Sequence, residues 1–193
     1  MTMKKLTILS IGLLCVLSLN GCSTVINATT SEPIDMDPNR RTMGTAIDDT
    51  QIETIANVNL KKAHPDIKSA PITVTSYNRV VLLTGQIKNN ELRQLAGETI
   101  AKLSKVRQVH NELQVQAPIS FFSTLGDAWI TSKLKTKLLA NKEIRSNRLK
   151  IITENGTVYF MGLLGRSEAE KAANVARTTS GVQKVVLAIE YIN

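Results

Sequence analysis

A β-hairpin pattern occurs twice in this chain, and it limits the fold more than any other part of the sequence. Residues 72–85 read ITVTSYNRVVLLTG, and residues 149–162, offset by 77 positions, read LKIITENGTVYFMG. Each copy has an apolar run of period two, a polar break, a second apolar run and a glycine, which is typical of a β-hairpin. The second break is Asn155-Gly156, whose residues tolerate the positive φ of a two-residue turn. A lone hairpin is marginally stable in water, so each copy needs other elements to cover its apolar face.

The residues around the first hairpin predict an α-β-β-α-β domain over residues 48–115. Asp48-Asp49 is expected to cap a first helix, which ends near His64 because Pro65 follows. A second helix is expected to open at residues 89–91. Residues 106–115 then predict a third strand, parallel to the second through a right-handed crossover.

The same order of elements recurs over residues 127–193, after a linker of residues 116–126. Asp127 is expected to cap the first helix of this copy. The apolar residues of the two first helices correspond as Ile52 with Ile130, Ala56 with Leu134, and Leu60 with Leu138. We therefore predict an α+β fold with two tandem α-β-β-α-β sandwich domains, each with two helices on a three-stranded mixed sheet.

The N-terminus predicts export. Lys4-Lys5 precedes an apolar run over residues 6–19, which is too short for a comfortable membrane span and fits the apolar core of a signal peptide. The following Leu19-Asn20-Gly21-Cys22 looks like the lipobox of bacterial lipoproteins. This resemblance implies removal of residues 1–21 and acylation of Cys22, with palmitate among the acyl chains.

A free cysteine at the start of a simple secreted protein is the alternative for Cys22. By the lipoprotein sorting rule, Ser23 after the cysteine favours the outer membrane. Residues 22–47 are rich in Thr, Ser, Asn, Asp and Pro, which predicts a flexible tether.

Composition and motifs argue against an enzyme or a metal site. Cys15 and Cys22 are the only cysteines and both precede the domains, while His64 and His110 are far apart in sequence. No Gly-rich phosphate loop and no nucleophile–base motif is present, so we expect no catalytic residue, metal or cofactor. A pI near 9.6 also raises nucleic-acid binding, but the export signal argues against it, as does the lack of base-stacking aromatic residues beyond Trp129.

The two copies differ in charge. The first contains nine basic and seven acidic residues, and the second eleven and six. Seven of those eleven lie within residues 133–150, where Glu143 is the only acid. On a helical wheel, one side of the first helix, away from its apolar stripe, carries Trp129, Lys133, Thr136 and Lys137. A tryptophan among lysines is typical of a helix that lies in a membrane interface.

Other interpretations of these residues stay open. Trp129 could instead pack as a core residue, and the lysines could form a solvated face. Phe121 and Phe122 could equally contact the membrane or pack the linker against the domain. Lys135 and Lys142 extend the basic region. The corresponding face of the first copy holds Gln51, Ile55, Val58 and Asn59 and is not basic. There we expect Ile55 and Val58 to pack against the other domain or the tether.

The chain resembles a known family. Two α-β-β-α-β units, each with an Asp-x-x-Ile helix start and a hairpin that ends in glycine, are similar to dual BON-domain outer-membrane lipoproteins when they follow a lipobox. The resemblance covers nearly the whole chain and is carried most specifically by Asp127-Ala128-Trp129-Ile130-Thr131, Thr153-Glu154-Asn155-Gly156 and Phe160-Met161-Gly162.

This resemblance implies a non-enzymatic protein, lipid-anchored to the outer membrane and facing the periplasm, that supports outer-membrane integrity and is associated with envelope stress and division sites. It also implies that the first helix of the second domain binds anionic phospholipid, such as phosphatidylglycerol or cardiolipin. The alternative is a periplasmic interaction module that assists other envelope proteins in assembly or stress response.

Overall fold

Two α-β-β-α-β repeats make up residues 40–118 and 121–192, the part of the chain that the computed structural model describes. The first repeat consists of α1 (Met43–Ala63), α2 (Pro65–Ser69), β1 (Ile72–Tyr77), β2 (Val80–Ile87), α3 (Asn90–Ala101), β3 (Gln108–Asn111) and β4 (Gln114–Val115). The second consists of α4 (Phe121–Ala140), a 3-10 turn (Ser146–Arg148), β5 (Leu149–Glu154), β6 (Thr157–Leu164), α5 (Arg166–Arg177) and β7 (Lys184–Tyr191). The predicted fold class is confirmed.

Both predicted hairpins are present. β1 pairs antiparallel with β2, and β5 pairs antiparallel with β6. Asn155 and Gly156 have φ values of 48° and 71°, as the predicted tight turn requires. In the first repeat the turn residues Asn78 and Arg79 also have positive φ, 53° and 64°, although arginine rarely adopts this conformation.

The third strands run parallel to the second strands, as predicted. β3 and β4 both pair with β2, and β7 pairs with β6. The third strand of the first repeat is interrupted between β3 and β4, where Leu113 is fully buried in the core. The backbone N–H of Glu112 still donates to the carbonyl of Leu83 at 2.9 Å, so the two short strands continue one ladder.

Both predictions of an aspartate cap on the first helix are wrong. α1 begins at Met43, where the Oγ1 of Thr42 accepts a hydrogen bond from the backbone N–H of Thr45 at 3.1 Å. α4 begins at Phe121, which places Asp127 inside the helix. Residues 43–47 of the predicted tether and 121–126 of the predicted linker are therefore helical. The aspartates have a different role, described below.

The two sheets pack on each other through the faces that do not carry helices. Side chains alternate along a strand, so Val81 and Leu83 of β2 face α1 and α3 while Val80 and Leu82 face the second repeat. β6 alternates in the same way, with Val158 and Phe160 toward the helices. The shared core contains Tyr77, Val80, Leu82, Tyr159, Met161, Leu163 and Ala188. The α1/α3 layer and the α4/α5 layer therefore lie on opposite outer sides of the paired sheets.

Polar contacts surround this interface between the repeats. The Nζ of Lys150 lies 3.0 Å from Oε1 of Glu53, and Arg107 lies 3.1 Å from Glu190. The side-chain amide of Gln86 donates to Glu154 at 2.7 Å. The repeats are thus joined by apolar burial and by side-chain pairs that are far apart in sequence.

Candidate functional site

Helix α4 has one buried face and one exposed apolar face. Ile130, Leu134 and Leu138 belong to the core of the second repeat. On the other side, which we call the α4 surface, Leu125, Trp129 and Leu139 are 52%, 67% and 73% exposed. The interpretation of Trp129 as a core residue is therefore wrong.

Neither Leu125 nor Leu139 was predicted from the sequence to be an exposed surface residue. Both lie toward the tryptophan on a helical wheel, four residues before it and ten after it. On an ideal helix these spacings place them about 40° and about 80° from Trp129. These positions on the wheel could have identified Leu125 and Leu139 as neighbours of Trp129 from the sequence alone.

The predicted basic residues of α4 differ in what they contact. The Nζ of Lys133 lies 5.6 Å from the centroid of the Trp129 ring, which is a cation–π distance. Lys137 donates to Oγ1 of Thr179 at 3.1 Å, so its amine is held at the C-terminal end of α5. The Oγ1 of Thr136 donates to the carbonyl of Ser132 in its own helix at 3.1 Å. The structure brings Lys133, rather than Lys137, against the tryptophan.

Two further predicted lysines, Lys135 and Lys142, are exposed. Neither forms an ion pair within residues 40–118 and 121–192. Their charges are therefore not neutralised by a neighbouring carboxylate in this part of the chain.

The basic segment that follows α4 contributes less than its sequence indicated. Arg145 forms a salt bridge with Glu168 at 2.6 Å, and Lys150 pairs with Glu53 of the first repeat. Burial raises the pKa of Glu168, but hydrogen bonds from the side chain and backbone of Arg145 outweigh it and hold the pKa below its ordinary value. Arg145 and Lys150, two of the seven basic residues within 133–150, are therefore paired with carboxylates and add little free positive charge beside α4.

Asp127 attaches α4 to the second hairpin. Its two carboxylate oxygens accept from the backbone N–H groups of Asn155 at 2.7 Å and Gly156 at 2.8 Å. The hydroxyls of Thr131 and Thr153, 2.7 Å apart, form a second contact between the helix and β5. The position and rotation of α4, and hence the direction of Trp129, are set by these bonds as well as by the core.

Asp49 has the corresponding role in the first repeat. It is fully buried and accepts from the backbone N–H groups of Asn78 at 2.9 Å and Arg79 at 2.7 Å. Arg41 adds a salt bridge to the same carboxylate at 2.8 Å. Both copies carry an aspartate three residues before the first core isoleucine of the helix, Ile52 or Ile130. This shared position was the sequence signal that the aspartate binds the hairpin turn.

The expectation that Ile55 and Val58 pack against the other domain is wrong, whereas most of the tether, the alternative partner, lies outside the described residues. They are 50% and 46% exposed and stand on the outer side of α1. Since the second repeat contacts the opposite face of the sheet, it does not cover them.

Some predictions fall outside the described residues. Cys22 and the signal peptide of residues 1–21 precede them, and the side chains of Phe121 and Phe122 are also outside the described part of the structure. Within that part, no helix is long and apolar enough to cross a membrane. No group of His, Cys, Asp and Glu side chains there could hold a metal ion.

Comparison with known proteins identifies the family. The BON domain matches residues 48–117 and 126–193. The chain belongs to the BON-domain family. This dual BON-domain chain shares 32% identity, over 195 residues that cover 100% of each chain, with the outer membrane lipoprotein DolP of Haemophilus influenzae.

Two other relatives align over most of their length. The chain is 38% identical over 152 residues to the 21 kDa hemolysin of Actinobacillus pleuropneumoniae, covering 79% of this chain and 78% of that protein. It is 28% identical over 162 residues to the osmotically-inducible protein Y of Escherichia coli, covering 82% and 79%. Relatives of this chain thus have different names, so a function has to be argued from this chain's own surfaces.

Proposed function

We propose that this BON-domain protein is a non-enzymatic lipoprotein of the outer membrane, faces the periplasm and binds anionic phospholipid through the α4 surface. The location is supported by the full-length similarity to DolP of Haemophilus influenzae, whose name describes an outer membrane lipoprotein. In this proposal the acyl anchor is on Cys22, and α4 provides a second contact with the same membrane.

The main observation that supports the proposal is the exposed indole of Trp129. A large aromatic side chain that is 67% exposed is unfavourable in water, and it belongs to an apolar surface with Leu125 and Leu139. If the exposed part of the indole, roughly 150 Å², enters the lipid interface at ~25 cal/mol per Å², binding gains about 4 kcal/mol. Lys133, stacked on the ring, would meet a headgroup phosphate at the same depth.

The remaining lysines favour an anionic bilayer. Each lysine near such a surface contributes about 1 kcal/mol, and salt weakens this term because the Debye length falls from about 10 Å at 0.1 M to about 3 Å at 1 M. Lys135 and Lys142 are exposed without an ion pair in the described residues, so their charges are available for this purpose. The lipid headgroups that fit are phosphatidylglycerol and cardiolipin.

The geometry fits a helix that lies flat on the membrane. Leu125 and Leu139 are 14 residues apart, which is about 21 Å along an α-helix. Because Ile130, Leu134 and Leu138 stay in the core, the outer face can enter the headgroup region without unfolding the domain. In this proposal, support of outer-membrane integrity and accumulation at division sites follow from where anionic lipid is enriched.

Vesicle binding tests the proposal. Residues 23–193 would be co-sedimented with phosphatidylcholine vesicles and with vesicles that contain phosphatidylglycerol or cardiolipin, at low and high salt. We expect binding to the anionic vesicles alone, weakened strongly at 1 M salt. Equal binding to both kinds of vesicle, or binding that salt leaves unchanged, would contradict recognition of anionic lipid.

A further inference from the structure

Helix α1 carries a second exposed apolar surface. Met43, Ile47, Ile55 and Val58 are 83%, 55%, 50% and 46% exposed. We call these four residues the α1 stripe. They lie on one side of the helix, while Ile52, Ala56 and Leu60 are buried on another. An apolar row of this length along a helix is typical of a protein or membrane contact.

A groove lies beside the stripe. It has a volume of about 150 Å³ and is lined by Gln51, Ile52, Ile55, Leu103, Ser104 and Lys105. Ile55 therefore belongs to both the stripe and the groove. A side chain from a partner helix could enter between α1 and the end of α3.

Lysines border the apolar residues. Lys61 and Lys62 follow Val58 at spacings of three and four residues, which places them on the same side of α1. Lys102 precedes Leu103 of the groove. All three lysines are exposed, and none forms an ion pair within the described ranges, 40–118 and 121–192.

The neighbouring carboxylates are already engaged within the protein. Asp48 is bound by Arg79 at 2.8 Å and Lys105 at 2.6 Å, and Glu53 is bound by Lys150. Glu98, four residues before Lys102 on α3, is exposed and forms no ion pair in the described residues, but the three unpaired lysines outnumber it and the net free charge is positive.

In a second copy packed on the stripe, Lys61 and Lys62 would face the same lysines if the helices ran parallel. If they ran antiparallel, these lysines would face the start of α1, where Asp48 and Asp49 are already paired. Neither arrangement neutralises the lysines, which favours a partner that carries carboxylates.

The position of α1 disfavours the bilayer as its occupant. The two helix layers lie on opposite outer sides of the paired sheets, so a flat membrane that contacts α4 does not reach the α1 stripe. Only this exclusion of the bilayer rests on the proposed lipid contact of α4. The occupant that remains is a protein.

We propose that the α1 stripe binds an amphipathic segment of another protein, with apolar side chains against Ile55 and Val58 and carboxylates facing Lys61, Lys62 and Lys102. The recognition mode is a helix lying along an apolar groove. The two repeats then have separate tasks: the second contacts lipid, and the first holds a protein partner on the far side of the molecule.

Site-specific photo-crosslinking in cells tests this surface on the full chain. Ile55 and Val58 would each be replaced by p-benzoylphenylalanine, and Gln94, exposed on α3, would be the control position. We expect the same protein to be crosslinked from both positions and not from the control, through a peptide rich in apolar and acidic residues. Lys61→Glu with Lys62→Glu should reduce the crosslink about tenfold.

Several outcomes would overturn the proposal. These are crosslinks from this chain to its own copies, a crosslinked peptide without carboxylates, and a yield no higher than at the control position. To separate this proposal from the lipid contact, Ile55→Asp would be tested for vesicle binding and Trp129→Glu for crosslinking. Each should leave the other function unchanged. Loss of vesicle binding in Ile55→Asp would instead assign the α1 stripe to lipid.

Discussion

Asp127→Asn tests whether the contact between α4 and the hairpin stabilises the second repeat. The carboxylate offers one oxygen to each of two backbone N–H groups, those of Asn155 and Gly156. An amide of the same size keeps only one acceptor oxygen and turns its NH₂ group toward the other donor. The substitution therefore changes hydrogen bonding with almost no change in volume.

The expected loss follows from these two bonds. A buried N–H left without an acceptor costs about 1–3 kcal/mol, and the remaining bond loses the added strength that a charged acceptor gives. Asn155 is exposed, so water can partly replace its bond, whereas Gly156 is buried. We expect the free energy of unfolding to fall by about 2–3 kcal/mol, a large part of the 5–15 kcal/mol typical of a small protein.

Urea denaturation followed by far-ultraviolet circular dichroism measures this loss. With an m value of ~2 kcal/mol per M, the midpoint should fall by about 1–1.5 M with an unchanged slope. Asp66→Asn is the control, because Asp66 is a surface carboxylate paired with Lys88, and it should leave the midpoint nearly unchanged. If Asp127→Asn shifts the midpoint no more than Asp66→Asn does, the contact with the hairpin does not hold α4.

Two further predictions concern a glycine and a half-buried carboxyl. In Gly162→Ala the new Cβ would lie 2.2 Å from the carbonyl oxygen of Arg148, so we expect the free energy of unfolding, measured in urea, to fall by about 2–4 kcal/mol. In Gly126→Ala on α4 the new Cβ meets nothing within 4 Å, so this control should raise the free energy of unfolding by about 1 kcal/mol. Similar effects of the two changes would refute the steric argument. Burial raises the pKa of Glu154 above the ordinary 4.5, so the folded protein binds its proton more tightly than the unfolded chain does. Glu154→Gln should therefore be more stable than the natural protein at pH 7 and lose that advantage as the pH falls through the raised folded-state pKa toward 4.5. An advantage independent of pH would contradict the assignment.

The parts of the fold that were predictable depend on local patterns. The period-two runs, the Asn155-Gly156 turn and the spacing of Ile130, Leu134 and Leu138 each specify an element within a short stretch of chain. The crossover rule then orders the parallel third strands. The near-continuous apolar runs of the second strands, such as Val80-Val81-Leu82-Leu83, also indicate burial on both faces, but they do not identify the other sheet as the covering element.

The parts that were not predictable depend on partners distant in sequence. An aspartate before a helical stripe looks like an N-cap, and only the structure shows that Asp127 accepts from the N–H of Asn155, in a turn 28 residues later. Lys150 looks available for lipid until Glu53, 97 residues earlier, is seen to pair with it. The exposure of Trp129 could be predicted because Ile130, Leu134 and Leu138 of the same helix already define its buried side.

Binding of the paired variants Trp129→Glu and Gln51→Glu to phosphatidylglycerol vesicles tests the central claim most directly. Gln51 occupies in α1 the position that Trp129 occupies in α4, so each variant adds one carboxylate at an equivalent helical site. We predict that Trp129→Glu abolishes binding while its circular dichroism spectrum is unchanged, and that Gln51→Glu binds as the natural protein does. Unchanged binding of Trp129→Glu, or equal loss in both variants, would contradict the assignment of lipid recognition to α4.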